Sequence, residues 1–429
     1  MTSKKISNNS VYKSLKEYCR NATNREGDTF VGIKSEMKDG KHEISINFPI
    51  GYNISNSDEK VRNEILDLIE VLATYKDKKS QLLQTKDDYF LNTVRFPVHA
   101  YFRVMQYFLQ HDYYMENEEI YGTGISGPIN MKQTIKKISP IVQKSGFVYP
   151  SLIVRKNNDT DKYIITEINK FCVYESFMKF GWIYKQRLPK PPSVRKPNLK
   201  AYQAILKQKL ELINNDKLKQ LFQNMLSIIE YKNSVHEQDE FYFGTNNFEY
   251  VWEKLIDEIF GQPNKNYYFP KTKWNLTLGE RKNAALEPDT IMLTEDCIVV
   301  LDAKYYRYGV SSDIKDLPRS TSINKQITYA EYIAKNSKFK INRENNIKVL
   351  NAFLLPFNRE ENEFGSNCNY FSIGEAVADW KHSDKDYERV QGIVVDVKKL
   401  MSISSKPNKQ EIRNLSDAIK KSLLKYKKT

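Results

Sequence analysis

One stretch decides the fold of this 429-residue chain: Leu286-Glu287-Pro288-Asp289-Thr290-Ile291-Met292-Leu293, followed by Ile298-Val299-Val300-Leu301-Asp302-Ala303-Lys304-Tyr305. The two apolar, β-branched runs enclose the polar turn Thr294-Glu295-Asp296, a pattern that is typical of a β-hairpin. Side chains alternate along a strand, so Val300, Asp302 and Lys304 share one face. An acid and a lysine therefore lie side by side at the end of an apolar strand.

These charged residues predict a metal site. A buried charge must be paired or must bind metal, and Asp289, at the start of the partner strand, supplies a second carboxylate. Two carboxylates and a nearby backbone carbonyl suit Mg²⁺. Lys304 beside such an ion is placed to orient or deprotonate a water, or to neutralise charge on a phosphorus. The same residues also fit a solvated hairpin with a surface Asp-Lys pair, because the D-x-K pattern is common.

The composition predicts a globular protein of two or more domains. Hydrophobic residues make up 40% of the chain and charged residues 28%, and no apolar run approaches the roughly 18 residues of a membrane span. The first residues carry lysines but no apolar core of a secretory signal, so we expect an intracellular protein. The four cysteines are scattered and predict neither a zinc site nor disulfides.

The formal charge of +14 favours a polyanionic partner, whose phosphates attract lysine and arginine. The alternative is a lysine-rich solvated surface. The same two interpretations apply to residues 401–429, a basic segment with a predicted helix that either faces DNA or is solvated.

The N-terminal half contains the ordered parts of a winged helix-turn-helix. An amphipathic helix follows Pro97, a glycine-rich loop leads to a short helix over 129–138, and strands over 146–155 and 162–168 flank a turn. In such a fold the second helix enters the major groove. The other interpretation is a mixed α/β domain with an ordinary lysine-rich surface helix.

The short helix supplies candidate DNA contacts. Its Ile135 and Ile138 are predicted to face inward, and the outward side chains are Lys132, Gln133, Lys136 and Lys137. Beyond it, residues 181–200 contain no acid and four prolines, which favours an extended basic linker, and one long helix is predicted over 201–231. A polar stretch then marks a domain boundary, so residues 1–235 form the predicted DNA target-recognition region.

Residues 236–400 predict a mixed sheet flanked by helices. A helix from Phe248 carries its apolar residues at helical spacing and places Glu249 at the edge of that stripe, whereas Glu253 and Asp257 rotate toward solvent. After Lys304 come an aromatic, basic loop with Arg307 and Arg319, a helix over 323–334, and strands over 347–357 and 391–397. This order of strand, helix and strand implies a right-handed crossover with parallel pairing.

Several motifs together resemble the LlaJI family of restriction endonucleases, which looks related to McrC-type nuclease subunits. Pro288-Asp289 and Asp302-Ala303-Lys304 resemble the PD-(D/E)xK nuclease signature. The other motifs that carry the resemblance are Phe243-Gly244-Thr245-Asn246-Asn247-Phe248-Glu249-Tyr250-Val251-Trp252-Glu253, Tyr268-Phe269-Pro270-Lys271-Thr272-Lys273-Trp274 and Ser322-Ile323-Asn324-Lys325-Gln326-Ile327-Thr328-Tyr329-Ala330-Glu331-Tyr332-Ile333. The match is specific over about 241–355.

The resemblance implies a fold and a set of site residues. The expected fold class is α/β (α+β overall), with a C-terminal PD-(D/E)xK restriction-endonuclease-like sheet. Asp289, Asp302 and the Ala303 carbonyl would bind the metal, and Lys304 would be the active-site lysine. Glu249 would be the helical acid and metal ligand, and Gln326 the polar residue of the following helix. In RecB-like relatives a tyrosine follows that glutamine by four positions, whereas Tyr329 and Tyr332 follow here by three and six.

The implied function is a Mg²⁺-dependent endonuclease of a bacterial restriction system, with Mn²⁺ as a substitute, that cuts double-stranded DNA and leaves 5′-phosphate ends. A homodimer on DNA, a cognate DNA methyltransferase and a cytoplasmic location are expected with it. The first alternative is an McrC-like subunit that needs a separate McrB-like GTPase or ATPase motor, because the chain has no Walker A motif. The second is a DNA-binding protein with an inert nuclease-like domain.

Overall fold

The computed structural model describes most of the chain. The residues it describes are 14–38, 41–79, 96–115, 117–124, 127–144, 146–159, 164–184, 189–192, 197–234, 241–339, 347–381, 384–403 and 408–426. The fold is mixed, with helices and both parallel and antiparallel strand pairs, which confirms the predicted class.

Fifteen strands and eleven α-helices lie in the described residues. The strands are β1 (Cys19–Asn21), β2 (Val31–Lys38), β3 (Lys41–Phe48), β4 (Asn117–Thr123), β5 (Ile141–Gln143), β6 (Gly146–Val148), β7 (Ile153–Asp159), β8 (Phe241–Thr245), β9 (Lys273–Leu276), β10 (Gly279–Lys282), β11 (Thr290–Leu293), β12 (Cys297–Ala303), β13 (Lys348–Phe357), β14 (Tyr370–Ala376) and β15 (Val390–Asp396). The helices are α1 (Asp58–Lys79), α2 (Val98–His111), α3 (Met131–Lys137), α4 (Ile164–Tyr184), α5 (Leu199–Leu212), α6 (Asp216–Ser234), α7 (Phe248–Phe260), α8 (Tyr308–Ser311), α9 (Ser320–Lys335), α10 (Val397–Ser402) and α11 (Lys409–Lys425).

The chain forms two compact units. Unit 1 combines residues 1–91 with 239–429, and unit 2 comprises residues 92–238. The sequence analysis instead grouped 1–235 together and set 401–429 apart as a tail. The structure divides the chain differently because β2 pairs with β8 in one antiparallel ladder, which joins the N-terminal strands to unit 1.

The five-stranded sheet of unit 1 has the order β11-β12-β13-β15-β14. The predicted hairpin is present as the antiparallel pair β11 and β12, and the predicted crossover gives parallel pairing of β12 with β13. A further parallel pair joins β13 to β15. Strand β14, which the sequence analysis missed, pairs antiparallel with β15 at the edge.

Helices cover this sheet. Every residue of β12 is buried, so both of its faces are packed. On one face Ile298 and Val300 form a cluster with Tyr329, Ala330 and Ile333 of α9. Helix α7 packs on β11 and β12, and α11 packs on β14 and β15. The basic segment after residue 400 is therefore in part a packed helix, in which Leu415, Ile419 and Leu423 are buried.

The N-terminal residues of unit 1 are fixed to the end of β12. The Tyr305 hydroxyl accepts a hydrogen bond from the Ile50 N–H at 2.8 Å, and its carbonyl accepts one from the Asn24 side chain at 3.1 Å. The Tyr305 ring also contacts Phe248 and Trp252 of α7, with centroids 5.1 and 6.3 Å apart. The residue that follows Lys304 thus connects three parts of unit 1.

Unit 2 is mainly helical around an aromatic core. Helix α2 packs on α4 and α6, and Phe96, Tyr101, Phe102 and Phe180 contact one another. The predicted helix over 201–231 is two helices, because α5 ends at Leu212 and α6 begins at Asp216. The exposed Leu212 is the last residue before that break.

The predicted winged helix-turn-helix is not confirmed. The strand expected over 162–168 was wrong, because helix α4 begins at Ile164 and its Ile165, Ile168 and Cys172 are buried at helical spacing. Strand β7 instead pairs with β4, and a small pair of β5 and β6 follows α3. Residues 181–184 of the predicted linker belong to α4, and 185–188 and 193–196 lie outside the described residues.

No helix among the described residues is long and apolar enough to cross a membrane.

A substitution at Gly32 tests the strand pairing that joins the N-terminal strands to the rest of unit 1. A Cβ at Gly32 would collide with the backbone of Phe243 and Gly244 in the β2–β8 ladder, and the φ of Gly32 is +144°. Gly279 has nearly the same φ, +141°, with nothing within 4 Å of its ideal Cβ. We expect Gly32→Ala to lower the free energy of unfolding by about 2–4 kcal/mol and Gly279→Ala by about 1 kcal/mol, because only Gly32→Ala adds a collision to the strained φ. Urea unfolding measures both, and equal losses would contradict the structure.

Candidate active site

Asp289, Asp302 and Lys304 meet at one end of the five-stranded sheet. Thr290 lies opposite Leu301 in the antiparallel ladder, so the next residues outward, Asp289 and Asp302, lie opposite each other. One carboxylate oxygen of Asp289 accepts a hydrogen bond from the Ala303 N–H at 3.0 Å. The Lys304 Nζ lies 2.8 Å from the Asp302 carboxylate. The three side chains form one contiguous site.

Burial and like charge perturb the protonation of this site. Burial, the hydrogen bond to the Asp302 carboxyl group and the charges of Asp302 and Glu253 raise the pKa of Asp289 to about 8. Asp289 therefore keeps its proton near neutral pH. Burial alone would lower the pKa of Lys304, but the adjacent Asp302 carboxylate raises it above its usual value. Lys304 is therefore charged.

Helix α7 and the loop after it hold the backbone of Asp289. The Lys265 ammonium donates to the Asp289 carbonyl at 2.6 Å and to the Asp257 carboxylate at 2.9 Å. The other oxygen of Asp257 accepts from the Thr290 hydroxyl at 3.2 Å. Asp257 and Lys265 together form a clamp that fixes the backbone position of Asp289. The sequence analysis placed Asp257 toward solvent, and no sequence pattern singled out Lys265.

The glutamate of α7 whose charge acts on Asp289 is Glu253 and not Glu249. Asp257 accepts a hydrogen bond from Thr290, which follows Asp289, and Glu253 lies about one turn before Asp257 on the same side of α7. The charge of Glu253 acts on Asp289, whereas that of Glu249 acts on Tyr305. The prediction chose Glu249 from the edge of the apolar stripe. Glu249, Glu253 and Asp257 are spaced four residues apart, so the sequence also indicated Glu253 as a candidate. The spacing did not show which turn of α7 reaches the sheet.

Gln326 is fully buried on α9 and contacts the sheet rather than the carboxylates. Its side-chain amide donates to the Val300 carbonyl at 2.9 Å, and the Asn351 amide donates to the Gln326 backbone carbonyl at 3.1 Å. Val300 is two residues before Asp302 on the same strand face. In the structure Gln326 therefore holds α9 against β12, close to the site but not at its charged end.

The predicted DNA contacts lie in both units. Lys132, Lys136 and Lys137 are exposed on α3, as expected, but Thr134 is the buried residue of that helix and Ile135 is exposed. The predicted burial of Ile135 was therefore wrong. Gln133 is half-buried. In unit 1 Arg319 is exposed directly before α9, and Arg307 is half-buried with its guanidinium 3.9 Å from the Asp316 carboxylate.

The donor set of the site fits a hard divalent cation. In the described part of the chain, no group of three or more His, Cys, Asp and Glu side chains is arranged to hold a metal ion. The site offers two carboxylates in contact, and Mg²⁺ commonly takes one or two carboxylates and fills its remaining positions with water and phosphate oxygens.

Comparison with known proteins places the chain in the class of restriction-enzyme proteins. A curated relative from Bacillus subtilis (strain 168), the type II restriction enzyme BsuMI component YdjA, is 26% identical over 275 residues, which are 59% of this chain and 56% of the relative. The chain thus spans about half the length of that relative. Residues 30–377 match the model of the LlaJI restriction endonuclease, and the chain belongs to that family.

A solved structure gives a weaker match. The refined half-complex from a tetradecameric assembly of Thermococcus gammatolerans McrB AAA+ hexamers with bound McrC is 14% identical, with a TM-score of 0.35. The match covers 92% of this chain and 82% of that chain. A likeness at this TM-score does not extend to a shared function.

The raised pKa of Asp289 predicts a pH-dependent gain from Asp289→Asn. Between pH 4 and pH 8 the folded protein keeps a proton that the unfolded chain releases, so stability falls as pH rises through this range. The amide introduced by the substitution donates to Asp302 at every pH. We expect Asp289→Asn to stabilise the protein in EDTA by on the order of 2 kcal/mol at pH 8, which is below the full linkage value because the side chain is partly exposed, and by little near pH 4.

Thermal unfolding at several pH values measures this difference. Asp257→Asn is the control, because Asp257 belongs to the same clamp but lies outside the carboxyl pair. A stabilisation by Asp289→Asn that is equal at both pH values would mean that Asp289 does not keep its proton in the folded protein.

Proposed function

We propose that the protein is a Mg²⁺-dependent endonuclease that hydrolyses phosphodiester bonds of double-stranded DNA in a restriction system. The observation that carries the proposal is the contact of Asp289, Asp302 and Lys304 at one sheet end. Membership of the LlaJI restriction endonuclease family supports the same activity. The excess of basic residues, with a formal charge of +14, suits the polyanionic substrate.

In the proposed mechanism the two aspartates would hold the cation, and the Ala303 carbonyl is a further candidate ligand. When bound, Mg²⁺ polarises a phosphate oxygen and lowers the pKa of a bound water. The clamp of Asp257 and Lys265 orients Asp289, and pairing with Asp302 keeps Lys304 protonated. A protonated Lys304 positions the attacking water by hydrogen bonding and stabilises negative charge as it develops on the phosphate.

The family resemblance supports the finer features of the proposal. In-line attack by water would leave a 5′-phosphate and a 3′-hydroxyl, and Mn²⁺ would substitute for Mg²⁺. Unit 2 would supply contacts to the target sequence, with Lys132, Lys136 and Lys137 of α3 exposed for this purpose. Cutting both strands needs two sites, so a homodimer forms at least on DNA, and a methyltransferase of the same system would protect the host.

A second candidate function is a nuclease subunit that is active only with a separate nucleotide-hydrolysing motor. The Bacillus subtilis relative is described as a component of a restriction enzyme, which favours an assembly of several chains. The sequence contains no Walker A motif, so GTP or ATP hydrolysis would come from the partner.

Plasmid cleavage tests the proposed activity. We expect the purified protein to cut plasmid DNA with Mg²⁺ and not with EDTA, and Asp302→Ala or Lys304→Ala to lower the rate at least about 100-fold. Lys304→Arg should retain part of the rate, because it keeps the charge. Lys420→Ala is the control, because Lys420 pairs with Asp296 on the surface, away from the acid pair.

The outcomes separate the candidate functions. Cleavage with Mg²⁺ alone would exclude a required motor, and cleavage only after addition of a motor protein would favour the second function. Tight DNA binding without cleavage under any metal and with any motor would mean that the nuclease-like site is inert.

Glu253 and Glu249 form a matched pair for a second test. The charge of Glu253 acts on Asp289, so Glu253→Gln should alter the site that holds the metal. We expect it to raise the Mg²⁺ concentration for half-maximal cleavage about tenfold. Glu249→Gln, one turn away beside Tyr305, should change it by about twofold at most. A larger effect of Glu249→Gln would restore Glu249 as the helical acid of the site.

A further inference from the structure

Strands β9 and β10 form an arm, residues 271–283, that extends from unit 1 immediately before the carboxylate site. All residues of both strands are exposed. Trp274 is 61% exposed, and Leu278 in the turn is fully exposed at 100%. Large apolar side chains that are this exposed on so small an element usually mark a surface that binds another molecule.

The two faces of the arm differ. Trp274 lies opposite Arg281, and Leu276 lies opposite Gly279, so one face carries an aromatic, an aliphatic and a basic side chain. The other face carries Lys273 and Lys282, and the Lys273 ammonium lies 2.8 Å from the Glu280 carboxylate. The arm contains four basic residues and one acid, a net charge of +3.

The base of the arm is held in place. The Asn283 N–H donates to the Thr272 carbonyl at 3.0 Å, and the Leu286 N–H donates to the Pro270 carbonyl at 2.9 Å. Just before the arm, the Lys338 ammonium lies 4.9 Å from the Tyr267 ring and 4.5 Å from the Phe339 ring, and it donates to the Tyr267 carbonyl at 3.0 Å. The exposed side chains therefore project from a base that hydrogen bonds and cation–π contacts hold in place.

The arm also has a defined place relative to the site. Leu286 closes its base, and Asp289 follows three residues later. A phosphodiester held at Asp289 and Asp302 would bring the flanking duplex to the neighbouring surface. A two-stranded ribbon fits the major groove, which is about 12 Å wide, while cationic side chains beside it contact phosphates.

From these observations we infer that the arm binds the DNA duplex next to the scissile phosphate. Trp274, Leu276 and Leu278 contact bases and sugars in a groove, and Arg281 and Lys282 contact the backbone. This inference rests on the proposed nuclease function and extends it to a second DNA-binding element. A docking surface for another copy of the chain is the competing use of the same apolar face.

Binding of the full-length chain to a fluorescein-labelled linear duplex tests the inference. The Asp302→Asn background with Ca²⁺ keeps the DNA intact. We expect Trp274→Ala and Leu278→Asp each to weaken binding about tenfold, because the first removes apolar contacts in the groove and the second also places a negative charge near the phosphates. Arg281→Ala combined with Lys282→Ala should reduce the slope of log affinity against log salt by about 1 for each phosphate that the variant no longer neutralises.

Trp380→Ala is the matched control, because Trp380 is also 61% exposed in unit 1 and lies outside the arm. It should bind as the parent does. Thermal unfolding checks that the exposed substitutions leave the fold intact, and sedimentation measures the oligomeric state.

The results separate the arm from the nuclease function. Suppose that the wild-type protein cuts plasmid DNA and that Trp274→Ala and Leu278→Asp bind and cut equally well. This result would overturn the inference that the arm binds DNA and would leave the nuclease function supported. Wild-type protein that never cuts would refute the nuclease function, and the binding comparison would still decide the arm. A change from dimer to monomer in the arm variants, with unchanged DNA affinity of the monomer, would also overturn the inference, because the arm would then join two copies.

Discussion

Two carboxylates on adjacent strands face each other at the end of the β11–β12 ladder, and the rest of unit 1 supports this arrangement. Like charges directly opposite in an antiparallel pair repel, and burial makes the repulsion stronger. Two features of the site compensate for this repulsion: the proton that the raised pKa of Asp289 retains and the Lys304 ammonium beside Asp302. A cation that bound the pair, as we propose, would replace this proton and relieve the same repulsion, so its binding would stabilise the fold.

The apolar packing around the pair keeps it from separating. Strand β12 is buried along its whole length, α9 covers one face through Val300, and Tyr305 binds the strand end to Ile50. Moving Asp302 away from Asp289 would require the ladder to slip, and a slip by one residue would turn every buried side chain of β12 to the opposite face. Hydrophobic burial thus fixes the position of charges that would otherwise move apart.

Local patterns in the sequence were enough to predict the centre of this arrangement. The hairpin around Asp289 and Asp302 and the crossover through α9 depend on neighbours in the chain, and both are present. The pairing of β2 with β8 joins residues about two hundred positions apart, and no local pattern marks it. Helix α4 shows a different difficulty: its β-branched start resembles a strand, and only the spacing of Ile165, Ile168 and Cys172 indicates a helix.

The choice between Glu249 and Glu253 shows where helical periodicity stops being informative. Periodicity gives the rotation of a side chain about α7, but the level at which the helix crosses the sheet depends on contacts far apart in the sequence. The hydrogen bonds of Asp257 with Thr290 and of Lys265 with Asp289 fix that level, and at this level the charge of Glu253 acts on Asp289. One turn of helix, about 5.4 Å, separates the two glutamates. Which glutamate of α7 acts on Asp289 is therefore set by the clamp of Asp257 and Lys265, which holds the backbone of Asp289 and aligns α7 at the same time.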